Sequence, residues 1–173
     1  VCERVFVPVR PMMAVCSPAC AMARVRQAKK AERASIKARK EAIKTIAQLI
    51  ADAQIVFNAF IRERDKGKGC FVCGRPFTDK PGQVQHAGHV RSRGAAGHLR
   101  FTEDNCHGEC EGCNGPHGAK PHQIEAGAIA RIGAERYAEL CADNTPHKWQ
   151  RDELIAIKHE YRAKLKELKG RTC

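Results

Sequence analysis

Aromatic side chains are scarce in this sequence, at 5% of residues. The hydrophobic fraction is 43%, but much of it is alanine. Together these argue against a thick core, and small modules of this kind often rely on metal staples. Acidic residues are also few: 19 Asp and Glu stand against 31 Lys and Arg, leaving a formal net charge of +12. That imbalance favours a polyanionic partner, nucleic acid before an anionic membrane. No apolar run approaches the ~18 residues of a membrane-spanning helix, which excludes a transmembrane helix. The opening residues lack the basic-then-apolar plan of a secretory signal. Proline and glycine are missing from 21 to 66, which favours helix throughout. Cysteine is abundant, with ten residues. They cluster in short spacings without a leader, which favours zinc in a reducing cytoplasm over disulfides.

A chain of 173 residues fits one domain with appendages. Residues 1–20 hold Cys2, Cys16 and Cys20, three thiols where structural zinc wants four. The first residue is Val1, and we expect a truncated zinc knuckle whose fourth cysteine lay just upstream. Residues 21–66 read as one long helix. Its first half carries Arg24, Arg26, Lys29, Lys30, Arg33, Lys37, Arg39, Lys40 and Lys44 against Glu32 and Glu41. With almost no apolar stripe, that half is expected to be solvated or to lie on DNA phosphates. The second half spaces Ile43, Ile46, Ile50, Ala53, Phe57 and Phe60 on one apolar face. Residues 67–122 are rich in Gly, Cys and His, with short β-like pieces at 71–72 and 84–90. Residues 123–173 read as C-terminal helices, with a break near Gly133 and a turn at Thr145-Pro146. The last helix, 148–169, aligns Leu154, Ile157, Tyr161, Leu165 and Leu168. That face can pair with the 43–60 face, within one chain or between two.

The chemistry concentrates in 67–122. Cys70-x-x-Cys73 and Cys110-x-x-Cys113 are two pairs of thiolates, each from one tight turn, and together they complete a structural zinc site. Cys106, Cys141 and Cys173 have no paired spacing and default to thiols. Between the pairs lie His89 and Asn105, and Asn114 follows Cys113. Cutting a phosphodiester needs a base for water and a divalent cation on the phosphate. Histidine suits the base because its pKa sits near neutral, which assigns His89. Mg²⁺ takes few protein ligands and keeps several waters, which suits the Asn114 amide. Asn105 is placed to bond backbone across the loop and fix the carbonyl or ring of His89. Arg91, Arg93, His98 and Arg100 follow the base, and arginine forks there suit DNA phosphates. His117, Lys120 and His122 receive no role.

His89, then Asn105-x-x-x-x-Cys110-x-x-Cys113-Asn114, resembles the HNH (ββα-metal) nuclease motif. More closely, HAGHVRSRGAAGHLRF, EDNCHGECEGCN, RIGAER, TPHKW, FNAFIRERD and CSPAC resemble the NinG/Rap family of lambdoid phages, from Cys2 to about Leu168. The resemblance implies a mostly α protein: a small zinc-stapled ββα-metal (HNH-like) core, a long basic N-terminal helix and C-terminal helices. It also implies a structure-specific endonuclease of phage recombination in the bacterial host. Such an enzyme cuts branched DNA such as Holliday junctions and D-loops with Mg²⁺ or Mn²⁺. His89 takes the general-base position, Asn105 the central one and Asn114 the metal-binding one. Many HNH enzymes have a metal-binding acid just before the base, where this chain has Gly88. His86 is the nearest replacement and His107 the second; in a strand His86 and His89 point to opposite faces, and a bulge at Ala87-Gly88 could bring both to one side.

Symmetric cutting of a four-way junction needs two active sites, so a homodimer is expected, with the apolar helical faces as its seam. The competing reading is a non-catalytic zinc module that binds DNA or a recombination partner, favoured by Gly88. The joint spacing of His89, Asn105 and Asn114 weighs against it. A cysteine redox protein would not need the flanking basic charge.

Overall fold

The computed structural model describes residues 2, 5–115 and 118–170. His117 and Cys173 lie outside them. The chain divides into two compact units, Val1–Thr45 and Ile46–Cys173.

In the first unit, helix α1 spans Pro18–Ala42. Its start follows from the sequence: the Ser17 hydroxyl accepts from the Cys20 amide at 3.2 Å and Pro18 sits at the first helical position, where its missing N–H costs nothing. No residue of α1 is buried, as expected of a helix that is polar all round.

The single helix read over 21–66 is in fact two. Helix α1 ends at Ala42, and α2 runs Ile46–Arg64. The break falls where the solvated pattern gives way to the apolar one, among the β-branched Ile43, Thr45 and Ile46, which lower helix propensity. The buried stripe also starts later than its spacing suggested. Ile43 is 79% exposed, whereas Leu49, Ala53, Phe57, Phe60 and Ile61 are buried.

The second unit is built on α2 and the last helix, α6 (Arg151–Gly170), which pack along one another. Leu154 and Tyr161 of α6 join Leu49, Ala53, Phe57, Phe60 and Ile61 in one core with Phe101 and Cys106. Phe57 meets Phe101 and Tyr161 edge-on, with ring centroids 5.7 and 4.7 Å away, the geometry aromatic quadrupoles favour. The two apolar faces therefore pair within one chain, and the seam expected for a dimer is already occupied. A core this thin in aromatics still closes because three of them meet at one point.

Strands β1 (Gln85–His89) and β2 (Cys106–Cys110) form a two-stranded antiparallel sheet. Its register pairs His86 with Glu109, Gly88 with His107 and His89 with Cys106. The ladder is regular, so the bulge expected at Ala87-Gly88 does not form. Helix α3 (Glu111–Asn114) follows β2 directly. Phe71-Val72 is a turn and not a strand, although the Phe71 amide still bonds the Gly108 carbonyl at 2.9 Å.

Helices α4 (Pro121–Ile132) and α5 (Ala134–Ala142) separate at Gly133, as read from the sequence. Gly127 of α4 presses on the 70–73 turn so closely that a Cβ there would lie 2.1 Å from the Phe71 carbonyl oxygen. A further tie joins α2 to β2. Asp65, 1% exposed, accepts from the Gly108 amide at 2.8 Å and pairs with Arg64 at 2.8 Å and Lys68 at 3.0 Å. Arg64 in turn donates to the Cys106 carbonyl at 2.8 Å. Among the described residues, no helix is long and apolar enough to cross a membrane.

Candidate active site

The sulfurs of Cys70, Cys73, Cys110 and Cys113 all lie within 4.8 Å of one another. Two ligands of a tetrahedral zinc with Zn–S near 2.3 Å sit about 3.8 Å apart, and Cys73 and Cys110 are 3.8 Å apart. The backbone prepares this geometry. The Gly74 amide bonds the Cys70 carbonyl at 2.9 Å, and the Cys110 amide donates to the Cys70 sulfur at 3.3 Å. Burial opposes ionisation of Cys73, yet the Arg75 side chain and backbone donors hold its thiol down to about 6. This donor set could hold a structural zinc. It joins the 70–73 turn to the end of β2 and the start of α3, next to the residues singled out as chemistry. In the first unit, the sulfurs of Cys2, Cys16 and Cys20 lie 3.2–3.4 Å apart, three donors of a second candidate site.

A cleft of about 380 Å³ opens along β1. Its lining includes His86, His89 and Asn114 from the expected set, with Asn58, Arg62 and Arg93. His86 and His89 reach one cleft without a bulge because β1 has one unpaired edge, and side chains of both faces can border a cleft there.

His89 is oriented by its own loop. Its Nε2 lies 3.0 Å from the Arg100 carbonyl. A carbonyl only accepts, so Nε2 carries the proton and Nδ1 keeps a lone pair. The nearest partner of Nδ1 is the Cys106 sulfur at 3.9 Å, a weak contact with a thiol that burial pushes up to about 12. Burial lowers the His89 pKa; the bond to Arg100 opposes this, and the charges of Arg93 and Arg100 add to it. The ring is thus held neutral near pH 7, as a general base requires.

Asn105 is fully buried. Its amide donates to the Arg91 and Leu99 carbonyls, both at 3.1 Å, and its oxygen accepts from the Arg91 amide at 2.8 Å. Among the described residues, its side chain makes no hydrogen bond to the ring or the carbonyl of His89. It closes the loop that follows His89. Asn114 meets His86 across 3.5 Å, side chain to side chain.

His107 does not serve as a ligand. It is 4% exposed, and its Nε2 donates to the Asp104 carbonyl at 2.9 Å while Nδ1 faces the Arg64 guanidinium at 3.3 Å. Burial, reinforced by the Arg64 charge, lowers its pKa to about 4. Arg91 is likewise reassigned. Its guanidinium donates to the Leu140 carbonyl, the Asp143 carbonyl and the Asn144 side chain, closing the end of α5 instead of waiting for a phosphate. His98 contacts the Asp143 carbonyl at 3.0 Å. Arg100 reaches Gln54 at 3.3 Å, and its buried Nε has no partner. Arg93 is exposed at the cleft. The α1 cations Arg24, Arg26, Lys29, Lys30, Arg33, Lys37, Arg39 and Lys40 are all exposed.

Three residues escaped the sequence reading. Asn58 and Arg62 lie one helical turn apart on α2, and Gln54 holds Asn58 at 2.7 Å. Polar residues at four-residue spacing beside an apolar stripe were the available signal. Glu109 is the third. It is 5% exposed and, among the described residues, has no hydrogen-bond or ion-pair partner. Burial, then the Cys73 charge, pushes its carboxyl up to about 7. A Cβ on Gly88 would lie 1.8 Å from its Oε2, so no larger residue fits at 88 while Glu109 lies there.

A family model described as the Bacteriophage Lambda NinG protein matches residues 1–171. Protein ninG of Escherichia phage lambda is 39% identical over 137 residues, covering 78% of this chain and 64% of that protein. Protein ninG of Salmonella phage P22 is 39% identical over 134 residues, again 78% and 64%. The matched stretch thus spans less than two thirds of the length of these relatives. No solved structure matches the chain. A family match over almost every residue, carried through the cysteine pairs and the polar cleft between them, means that the chain belongs to the NinG family of bacteriophage proteins.

Proposed function

We propose that this chain is a metal-dependent endonuclease for branched DNA in phage recombination, acting in the bacterial host cell, with β1, β2 and α3 as an HNH-like ββα-metal module. The observation that carries the reading is His89: its Nε2 is bound to the Arg100 carbonyl, its Nδ1 holds a lone pair, and its pKa is depressed. His89 borders a cleft shared with Asn114, His86, Arg62 and Arg93. In this scheme His89 Nδ1 takes the proton of the attacking water. Arg93 and Arg62 hold phosphate oxygens at the cleft. Asn114, with His86 beside it, would hold Mg²⁺ or Mn²⁺, which when bound polarises the phosphate and stabilises the leaving oxygen. Asn105 keeps the loop after His89 closed, and zinc on Cys70, Cys73, Cys110 and Cys113 fixes α3 against the sheet. The +12 charge supplies affinity for DNA that does not depend on base sequence.

A second reading, a non-catalytic zinc module that binds DNA or a recombination partner, draws support from one observation. Among the described residues, only the cysteine sets gather three or more His, Cys, Asp or Glu donors, and position 88 is glycine. One experiment separates the two. The protein and His89→Ala are incubated with labelled four-way junction and linear duplex in Mg²⁺, Mn²⁺ or EDTA. Cation-dependent cutting of the junction, lost in the variant, is expected. Binding without cutting favours the second reading, and equal cutting by both proteins removes His89 as the base.

A further inference from the structure

In the first unit, thiols from two separate stretches of chain meet at the start of α1. The Cys2 and Cys16 sulfurs lie 3.2 Å apart, those of Cys16 and Cys20 3.4 Å, and those of Cys20 and Cys2 3.3 Å. Thiols are weak hydrogen-bond donors, and one disulfide would leave the third sulfur out, so neither accounts for the triangle. Two sulfurs on a tetrahedral zinc stand about 3.8 Å apart, so the triangle need open by only about 0.5 Å to take an ion. Three protein ligands with water in the fourth position is an ordinary zinc arrangement. All three cysteines border one cavity of about 300 Å³, with Arg24 and Gln27, which gives that water room.

The triangle encloses the beginning of a helix. Cys16 precedes the Ser17 cap, and Cys20 lies in the first turn of α1. The Ser17 hydroxyl accepts from the Cys20 amide at 3.2 Å, and the Ser17 carbonyl accepts the first helical bond, from the Ala21 amide at 3.0 Å. The residues of α1 are rich in alanine, lysine and arginine, which propagate a helix well. None of them is buried, so α1 has no packed face to hold its first turn. Forming that turn is the costly step, disfavoured by about a thousandfold. The first turn also carries no acidic residue to meet the positive end of the helix dipole. Three thiolates on a divalent ion leave a net negative charge there, the sign which that end favours.

We infer that Cys2, Cys16 and Cys20 bind a divalent ion of the zinc class, and that this ion nucleates α1. Thiolate ligands select zinc over the hard cations. By tying Cys16 to Cys20 the ion fixes the residues around the Ser17 cap in the conformation of a first turn, and the rest of α1 propagates from it. The cations of α1 are then set out on a helix when the metal is bound. This site is independent of the nuclease reading.

The test uses the full chain, loaded with Zn²⁺ under reducing conditions. Bound zinc is counted by native mass spectrometry, and amide hydrogen exchange is followed across α1, α2 and α6. Cys2 lies outside α1, so Cys2→Ser reaches the helix only through the site. The parent is expected to hold one zinc more than Cys2→Ser. The α1 amides of the variant are expected to exchange roughly tenfold or more faster, within the thousandfold cost of an unformed first turn. Exchange in α2 and α6 should not change. Cys2→His, which offers another zinc ligand, is expected to restore both the ion and the protection of α1. Equal zinc in the parent and Cys2→Ser overturns the site. One zinc fewer with parental exchange in α1 overturns the nucleation, as does equal acceleration in α1, α2 and α6. A Cys2→His variant that regains the ion without slowing α1 exchange also counts against it.

Discussion

Asp65 shows how much one side chain can decide. Burial opposes its charge, but Arg64, the Gly108 amide and Lys68 together hold its pKa well below the usual carboxylate range. A depressed folded pKa contributes stability that is present above the unfolded value near 3.9 and is lost as pH falls toward the folded one. Asp65→Asn takes the buried carboxylate from Arg64 and Lys68 and is expected to cost about 3 kcal/mol at pH 7. Urea unfolding should show that gap narrowing below about pH 4. At His89 acid again removes the competent form, here the neutral ring, so activity falls as pH falls. With its pKa depressed, the acid limb of kcat/KM against pH should turn below about 6.5, the ordinary histidine value. An acid limb turning well above that value would show that another group titrates. The cysteine cluster was legible because its meaning lies in spacing along the chain. Glu109 was not, since its value depends on which residue faces it across β1. His107 misled because a histidine beside a motif reads alike whether its nitrogens are free or, as here, both taken.

At the scale of elements, the contact between α4 and the 70–73 turn is a tight joint beside the Cys70–Cys113 cluster. A glycine inside a helix costs about 1 kcal/mol against alanine. The fold gives the glycine a purpose, because a methyl group would meet the Phe71 carbonyl at 2.1 Å. Gly127→Ala should therefore destabilise despite its better propensity, by about 1–3 kcal/mol of overpacking. A lower thermal midpoint and faster zinc loss to a chelator would be seen together, and a raised midpoint would refute the joint. The break between α4 and α5 was readable, since Gly133 marks it locally. The break between α1 and α2 was missed because no proline or glycine announces it. The late start of the α2 stripe was missed for a related reason: spacing shows a face but not where α6 begins to cover it.

For the whole molecule, charge and core belong to different units. The second unit holds the aromatic core, the sheet and the Cys70–Cys113 site; the first carries exposed cations on α1. The helical character of 21–66 and of the last helix could be read from the pattern of residues along the chain. The partner of the α2 face could not, because an apolar stripe specifies burial without naming what buries it. If α1 lies on DNA, neutralising Arg24, Arg26, Lys29 and Lys30 should reduce the slope of log K against log salt by about 3–4, each phosphate contact contributing about 0.9. Fluorescence anisotropy with duplex across a salt series measures this, and an unchanged slope would mean that other cations meet the phosphates.

Because α1 buries none of its residues, it lacks the buried apolar face on which most helices in proteins depend. Within it, Arg26 and Lys30, Lys29 and Arg33, and Arg33 and Lys37 stand four apart, like charges that each oppose the helix by roughly 0.2–0.5 kcal/mol. A polyanion that neutralises them removes that opposition. Winding of α1 and its capture of phosphates are therefore thermodynamically linked: each favours the other, and high salt, by screening the same repulsion, stabilises the helix while it weakens the binding.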